Sequence, residues 1–325
     1  MSVSILGIDI AKQSYQVSLL VDGKVYRREF RNQAEHFEEL CLWLQKHGVE
    51  QCQVCMEATN IYWEELARFL YQRGDWVSVI NPARIRHYAK SKLARNKTDQ
   101  LDADLIADFC STQNPVLWEP PSPEIRELQA LMRHLEDLKS MRSEVSTRLS
   151  NGVSSEAVQK MLQEHLDFID QQIEALKKQI QAHIDQNPGL KQQLNLLVSI
   201  PGIGELTAAK LLSENIQSFD STRSLTAYAG LNPQLGNSGT SVRQRPRLSK
   251  IGNAHLRKAL YFPAVNAMRY NPTIQVFCNR LKQRDKHNMT IIGACMHKLL
   301  CLSLGVLKSG LPFDPNYHAT SHTTS

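Results

Sequence analysis

The stretch SILGIDIAKQSYQVSLLVDGKVYRREFRN, residues 4–32, decides the fold of the first part of the chain. A short apolar run reaches Asp9, and an alternating run follows over Ser14–Val21. Asp22-Gly23 is a dipeptide typical of a tight hairpin turn, and Lys24–Phe30 forms the returning run. Residues 4–32 are therefore predicted to be three strands in an antiparallel meander.

The segments that follow alternate between helical and strand-like spacing of apolar residues. Helical spacing covers residues 34–46 and 62–72, and strand-like runs cover residues 51–56 and 76–80. Three strands followed by helix, strand, helix and strand indicate an α/β domain, which we expect over residues 1–115.

A second region begins after four prolines that lie between Pro115 and Pro123. Leucines, isoleucines and valines then recur with heptad spacing on both sides of Asn151-Gly152, which predicts a coiled-coil helical hairpin over residues 123–187. Residues 190–313 are predicted to be a mainly helical domain, broken by a loop over residues 232–247, and residues 314–325 a loose tail. The fold class is thus α/β plus all-α.

Charge is distributed very unevenly along the 325 residues. Residues 221–313 hold 14 lysines and arginines and one acid, Asp285, whereas the rest of the chain is net acidic. A window this basic predicts a polyanion-binding region, most commonly for nucleic acid. Seven scattered cysteines and an N-terminus without a basic leader predict a cytoplasmic protein. The apolar stretch 290–307 contains His297 and Lys298, which favours a buried helix and argues against a membrane partner.

Four acidic residues are candidate metal ligands. Asp9 ends the first strand, Glu57 follows the strand over residues 52–56, and Asp99 and Asp102 share one face if Asp99 opens a helix. If strands one and four are neighbours, Asp9 and Glu57 emerge side by side. Clustered carboxylates suit Mg²⁺ or Mn²⁺, and two such ions can promote phosphoryl transfer. Each acid taken alone also fits an ordinary solvated position.

Six basic residues between Trp76 and Thr98, with no acid among them, lead directly to Asp99. They predict a path for a phosphate backbone toward the acids, although a solvated amphipathic helix explains them equally well. The residues are Arg84, Arg86, Lys90, Lys92, Arg95 and Lys97.

Two motifs of the C-terminal region suggest phosphate contacts. Ile200-Pro201-Gly202-Ile203-Gly204 between helices is typical of a helix-hairpin-helix element, in which Gly202 and Gly204 let backbone N–H groups approach a phosphate; an ordinary tight turn is the alternative. The loop containing Ser238 and Ser241 could bring a hydroxyl to phosphorus, or could merely grip phosphate. Further candidate nucleic-acid contacts are Arg243, Arg245, Arg247, Lys250, Arg257 and Lys258.

Taken together, these motifs resemble bacterial transposases of the insertion-sequence-one-ten family and the related Piv-type DNA invertases. The resemblance extends from Gly7 to about Pro312 and includes a coiled-coil insertion. Its segments are GID at 7–9, MEAT at 56–59, VINP at 79–82, NKTDQLDA at 96–103, IPGIG at 200–204, AYAGLNP at 227–233, SGTS at 238–241 and SKIGNAHLRKALY at 249–261.

The resemblance implies more than the residues do alone. It implies an RNase-H-like (RuvC-like) first domain whose acids are Asp9, Glu57, Asp99 and Asp102, and a C-terminal transposase domain. It also implies a serine that joins covalently to DNA, by position Ser238, with Ser241 as the alternative. Implied partners are donor and target DNA, a noncoding (bridge) guide RNA, and further copies of the chain in a homodimer or homotetramer.

Three functions remain open on the sequence. The first is a transposase or an invertase with a serine–DNA intermediate. The second is a metal-only RuvC-like nuclease or junction resolvase, in which the serine loop only grips phosphate. The third is a nucleic-acid-binding protein with an inactive acidic site, which the intact set of four acids disfavours.

Overall fold

The computed structural model describes most of the chain, and its helices and strands can be assigned over residues 3–92, 99–234, 237–238, 242–243 and 247–317. Side chains are described over the same ranges except at 99–101, 237–238 and 242–243. The chain divides into two compact units, Met1–Pro120 and Pro121–Ser325.

The first unit is an α/β unit, as the alternating periods predict. A short 3-10 turn precedes its first helix. Its strands are β1 (Ile5–Ile10), β2 (Ser14–Val21), β3 (Lys24–Arg31), β4 (Gln53–Glu57) and β5 (Trp76–Ile80), and its helices are α1 (Phe37–Lys46), α2 (Glu64–Arg73), α3 (Pro82–Ser91) and α4 (Asp99–Gln113).

The five strands form one mixed sheet in the order β3-β2-β1-β4-β5. The β2–β3 and β1–β2 pairs are antiparallel, and β1, β4 and β5 run parallel. The first and fourth strands are neighbours, which was the condition for Asp9 and Glu57 to emerge side by side. Apolar side chains pack on both faces of the sheet: one cluster includes residues of α1 and α2, and another includes residues of α3 and α4.

Helix α4 lies directly on the sheet because Gly7 of β1 has no side chain. A Cβ atom at Gly7 would stand 2.4 Å from both the carbonyl oxygen of Ala103 and the nitrogen of Ala107. Ser18 of β2 also donates a hydrogen bond to Asp104 of α4, at 2.6 Å. These contacts fix the helix that carries Asp99 and Asp102 against the strand that carries Asp9.

The second unit is mainly helical. Its helices are α5 (Pro123–Ser150), α6 (Glu156–Gln186), α7 (Pro188–Val198), α8 (Glu205–Ser213), α9 (Thr222–Tyr228), α10 (Ala254–Ala259), α11 (Tyr261–Tyr270), α12 (Pro272–Gln283) and α13 (Asn288–Ser309).

Helices α5 and α6 form an antiparallel hairpin. His183 lies 2.8 Å from the carbonyl oxygen of Glu124 near one end, and Arg142 pairs with Asp170 nearer the connecting turn. The heptad positions from Leu128 onward supply buried residues of the seam, which belongs to the same apolar cluster as α7–α13. The hairpin and the helices after it therefore share one core, although the sequence suggested two separate regions.

The segment predicted as a loop over residues 232–247 contains four short strands. The strands are β6 (Pro233–Gln234), β7 (Asn237–Ser238), β8 (Val242–Arg243) and β9 (Arg247–Leu248). β6 pairs antiparallel with β9, and β7 with β8. We call residues 233–248 the serine arm.

Of the described helices, α13 is the one long and apolar enough to cross a membrane by length and composition, with half of its most apolar window buried. Its buried residues, among them Ile291, Cys295, Leu299 and Leu304, belong to the core of the second unit.

Candidate active site

Asp9 and Glu57 lie on adjacent parallel strands at the carboxyl end of the sheet. Ile8 of β1 pairs with Met56 of β4, and each acid is the next residue along its strand. Side chains alternate between the faces of a strand, so Asp9 shares a face with Gly7, which α4 covers. Both acids are half-buried. The sheet thus brings the first two predicted acids together.

Asp102 lies on a flank of α4 that is apolar further along the helix. Ile106 and Phe109 follow it at helical spacing on the same flank, and they belong to one apolar cluster with Ile80 and Ile85. Ile80 ends β5, and Ile85 belongs to the helix that follows. Half-buried Asp102 thus lies on the flank of α4 that packs near the carboxyl end of β5.

The complete set of four acids is not drawn together by the described side chains. Asp99 is the first residue of α4, but its side chain lies outside the description. Among the described side chains, which include those of Asp9, Glu57 and Asp102, no group of three or more histidines, cysteines or acids is arranged to hold a metal ion. The four-acid metal site remains a prediction.

Two other acids of α4 have structural partners. Arg27 of β3 holds the carboxylate of Asp104 at 2.8 to 3.0 Å, in addition to the hydrogen bond from Ser18. Asp108 accepts a hydrogen bond from the Tyr88 hydroxyl at 2.8 Å and lies 3.0 Å from Lys92. Sequence spacing could not separate these acids from Asp102.

The basic residues before α4 are only partly described. Arg84, Arg86, Lys90 and Lys92 are exposed on or just after α3, and Arg95 and Lys97 lie outside the described residues. The Arg84 guanidinium stands over the Phe109 ring, 5.3 Å from its centroid, and Lys92 pairs with Asp108. At least Arg84 and Lys92 therefore also bind α3 to α4, a role that sequence reasoning missed.

Ser238 lies in the distal ladder of the serine arm. Its backbone pairs with that of Val242 in the β7–β8 ladder. The side chain of Ser238 and all of Ser241 lie outside the described residues, as do the side chain of Arg243 and all of Arg245. The hydroxyl that attacks phosphorus therefore remains a prediction.

The other basic candidates of this unit divide into exposed and anchored side chains. Arg247, Lys250 and Lys258 are exposed. Arg257 is half-buried and donates a hydrogen bond to the carbonyl oxygen of Ala229 at 3.0 Å, at the end of α9. Arg257 thus has a structural partner in addition to its predicted contact with nucleic acid.

Gly202 and Gly204 have different surroundings. Gly202 has a φ of +106°, and a Cβ atom there would lie 2.7 Å from the Cβ of Ala267 in α11. Close packing is therefore a sufficient reason for this glycine. Gly204 has open space around the position of a Cβ and immediately precedes α8. Of the two, Gly204 is the one that an approaching phosphate could reach.

A buried polar network near the root of the serine arm was missed by sequence reasoning. Lys210 of α8 is only 5% exposed and lies 2.8 Å from Glu136 of α5 and 2.9 Å from Glu214. Burial would raise the pKa of the Glu136 carboxyl, but Lys210 and His255 outweigh it and lower the pKa. The signal in the sequence was a lysine inside the apolar helical run Ala208–Leu212.

Comparison with known proteins identifies the family of the chain. Residues 6–157 match a family model described as "Transposase", of the DEDD type of IS110 elements, and residues 194–279 match the model "Transposase IS116/IS110/IS902 family". A pilin gene-inverting protein of Moraxella bovis is 36% identical over 324 residues, covering 98% of this chain and 100% of that protein. The chain belongs to the IS110 transposase family.

Other relatives in the IS110 transposase family are similar over most of the chain. A pilin gene-inverting protein of Moraxella lacunata is also 36% identical over 324 residues, with 98% and 100% of the two chains covered. The transposase for insertion sequence element IS1111A of Coxiella burnetii is 24% identical over 302 residues, covering 82% of this chain and 79% of that protein.

The two IS110-family matches coincide with the two parts of the candidate site. Asp9, Glu57 and Asp102 fall in the match over residues 6–157, and the serine arm falls in the match over residues 194–279. The acids and the arm thus belong to separate family domains and to separate compact units.

Proposed function

We propose that the protein is a DNA recombinase that cuts and exchanges strands through a divalent-metal acidic site and a covalent serine–DNA intermediate. The observation that carries the proposal is the adjacency of Asp9 and Glu57 beneath α4 in a member of the IS110 transposase family. The sheet order β3-β2-β1-β4-β5 supports an RNase-H-like first unit.

The donor set fits a hard divalent cation. Asp9, Glu57, Asp99 and Asp102 offer only carboxylate oxygens, which Mg²⁺ and Mn²⁺ prefer. When bound, such an ion polarises the scissile phosphate and stabilises the leaving oxygen. The role of these four residues is to hold the ion at the carboxyl end of β1 and β4.

Ser238 is the proposed nucleophile, with Ser241 as the alternative. Its oxygen forms a bond to phosphorus, the bond from phosphorus to one deoxyribose oxygen breaks, and that oxygen takes up a proton while the serine loses one. A hydroxyl of the partner DNA strand then attacks the same phosphorus. The bond from phosphorus to the serine oxygen breaks, the serine takes back a proton, and the incoming hydroxyl loses one. The pairing of Ser238 with Val242 supports this role, since it puts the residue next to the connection of an antiparallel ladder.

Charge and family membership support DNA as a partner, and we propose a guide RNA and further copies of the chain in addition. The 14 basic residues of residues 221–313 support binding of DNA, both donor and target. A noncoding guide RNA would supply recognition by base pairing, as in other RNA-guided systems. A homodimer or homotetramer held partly by the α5–α6 hairpin, acting as a coiled coil, would join acids of one subunit to the serine of another. The proposed place of action is the bacterial cytoplasm.

Inversion of a DNA segment is favoured over transposition by one comparison. The two pilin gene-inverting proteins are 36% identical and match nearly end to end, whereas the IS1111A transposase is 24% identical over 82% of the chain. Strand chemistry is the same in both outcomes, and the arrangement of the DNA sites decides between them.

A recombination assay in bacteria tests the proposal. A plasmid carries the DNA that flanks the gene as two inverted copies, and sequencing of new junctions measures recombination by the wild type, Asp9→Asn, Glu57→Gln and Ser238→Ala. We expect junctions with the wild type and none with any variant. Junctions that persist in Ser238→Ala, and also when Ser241→Ala is added to that variant, would contradict the serine intermediate and support chemistry by the metal site alone.

A further inference from the structure

The root of the serine arm is fastened by backbone hydrogen bonds on both sides. Ser249 N–H donates to the carbonyl oxygen of Asn232 at 2.9 Å, and Lys250 N–H donates to that of Gly230 at 3.2 Å. Asn253 N–H donates to the carbonyl oxygen of Tyr228. The segments before and after the arm are thereby joined at its base.

A half-buried carboxylate connects this base to the helical frame. Glu214, at the end of α8, accepts hydrogen bonds through Oε2 from the Asn253 side-chain amide at 2.6 Å and from the Tyr228 hydroxyl at 3.3 Å. The Asn253 amide also donates to the Tyr228 oxygen at 2.9 Å. Through Oε1, Glu214 pairs with Lys210, which also pairs with Glu136.

Removing these polar side chains from water costs free energy that apolar side chains at the same positions would not cost. Burial raises the pKa of the Tyr228 hydroxyl, and the nearby Glu214 carboxylate raises it further. Buried ion pairs often stabilise a fold no better than apolar residues of the same size, but they fix a single geometry. Close approach is also required here, because a Cβ at Gly252 would stand 2.1 Å from the Tyr228 carbonyl oxygen.

We propose that Glu214, held by Lys210, positions the serine arm for strand transfer through Asn253 and Tyr228. Glu214 and Asn253 are positioning residues that do not contact the DNA. The proposal rests on the proposed function of the serine arm. It assigns a role to the glutamate, the tyrosine and the asparagine that lie at the base of the arm.

Asn253→Asp removes the side-chain donor to Glu214 and Tyr228. An aspartate still caps α10, because Oδ1 of Asn253 accepts the Leu256 N–H at 2.9 Å, but it replaces the amide donor by a carboxylate that faces Glu214. The double variant Asn253→Asp with Glu214→Gln exchanges donor and acceptor and restores one hydrogen bond between the two positions.

Asn271 provides a matched control in the same unit. Its Oδ1 accepts the Ile274 N–H at 3.1 Å to cap α12, and its Nδ2 donates to the carbonyl oxygen of Pro201 at 3.2 Å. Asn271 is fully buried and Asn253 half-buried, so Asn271→Asp removes the same kind of cap-residue amide donor, in a more buried place, outside the network around the arm.

The experiment combines amide hydrogen exchange at Ser249 and Lys250 with the rate of covalent serine–DNA adduct formation at saturating DNA. For Asn253→Asp we expect exchange about tenfold faster and adduct formation about tenfold slower, with the DNA concentration for half-maximal rate unchanged. The double variant recovers most of the wild-type exchange protection and most of the adduct rate. Asn271→Asp lowers the melting temperature but leaves the exchange at Ser249 and Lys250 and the adduct rate unchanged.

Unchanged exchange in Asn253→Asp, or an equal loss of adduct in Asn271→Asp, would overturn the positioning role. Absence of any adduct in the wild type would instead contradict the proposed serine chemistry, while the exchange of Ser249 and Lys250 would still report on the base of the arm.

Discussion

Ser18 of β2 donates a hydrogen bond to Oδ1 of Asp104 at 2.6 Å, which fastens α4 across the sheet. Asp104 and Asp102 are two residues apart on the same helix, but they lie on opposite flanks: Asp104 is held by Ser18 and Arg27, and Asp102 lies on the flank of Ile106 and Phe109. This difference separates a structural acid from a proposed metal ligand.

Substitution of the two acids should therefore have opposite effects. Asp102→Asn is expected to reduce DNA cleavage about 100-fold or more with little change in stability, because it removes a carboxylate from the metal site. Asp104→Asn is expected to lower the free energy of unfolding by about 1 kcal/mol and to retain most activity. Single-turnover cleavage measures the activity of each variant, and chemical denaturation measures its free energy of unfolding. Equal loss of cleavage in the two variants would contradict the assignment.

Gly7 tests the close contact between β1 and α4. Gly7→Ala places a methyl group 2.4 Å from backbone atoms of Ala103 and Ala107, so α4 must shift. We expect a loss of about 1–3 kcal/mol in the free energy of unfolding together with loss of cleavage.

Gly305→Ala is the control for Gly7→Ala. Gly305 lies in α13 with open space around it, so alanine should stabilise the protein by about 0.5–1 kcal/mol. A Gly7→Ala variant with the wild-type unfolding midpoint and activity would show that the contact is unimportant.

The two glycines of the helix-hairpin-helix-like turn should behave differently. Gly202→Ala meets Ala267 and has an unfavourable φ, so we expect a loss of about 1–3 kcal/mol in stability. Gly204→Ala should fold normally, because there is open space around this position. We expect it to bind duplex DNA several-fold more weakly, because the added methyl group would occupy the space that a phosphate enters. Denaturation and a DNA-binding titration distinguish the two. Unweakened binding in Gly204→Ala would leave the turn with a packing role alone.

The stability of the second unit should depend on pH through Glu136. Burial raises its pKa, but Lys210 and His255 lower it further, so the net pKa lies below the ordinary value of 4.5. A depressed pKa in the folded state adds stability above the unfolded pKa, and this stability disappears as the pH falls from about 5 through the folded pKa.

Glu136→Gln is therefore expected to be less stable than the wild type at pH 7 and to lose less stability between pH 5 and pH 3. Denaturant unfolding across this range measures the slope. Parallel stability curves for the two proteins would contradict the role of the Lys210–Glu136 pair.

Local patterns were sufficient to predict the five strands and the first two helices of the first unit, but they did not predict α3, and α4 entered only as a condition on Asp99. Apolar runs predicted β1, β2, β4 and β5, and Asp22-Gly23 predicted β3 as the returning strand. The adjacency of Asp9 and Glu57 followed once strands one and four were assumed to be neighbours. That assumption is confirmed by the sheet.

Other features depend on contacts between residues far apart in the chain. Lys210 meets Glu136 across 74 positions, and no spacing rule connects them. The short strands of the serine arm arise from pairing, since their Gly, Ser, Pro and Arg composition lacks an alternating pattern. Likewise, Asp104 differs from Asp102 through its contacts with Ser18 and Arg27, which only the tertiary structure brings to α4.

Covalent trapping tests the central claim most directly. The protein is incubated with Mg²⁺, the RNA that flanks its gene, and donor and target DNA, and denaturation-resistant protein–DNA adducts are measured for the wild type, Ser238→Ala, Ser241→Ala and Asp102→Ala. The account predicts an adduct in the wild type and Ser241→Ala that is absent in Ser238→Ala, in Asp102→Ala and without the metal ion. Cleavage without an adduct, unaffected by either serine substitution, would contradict it.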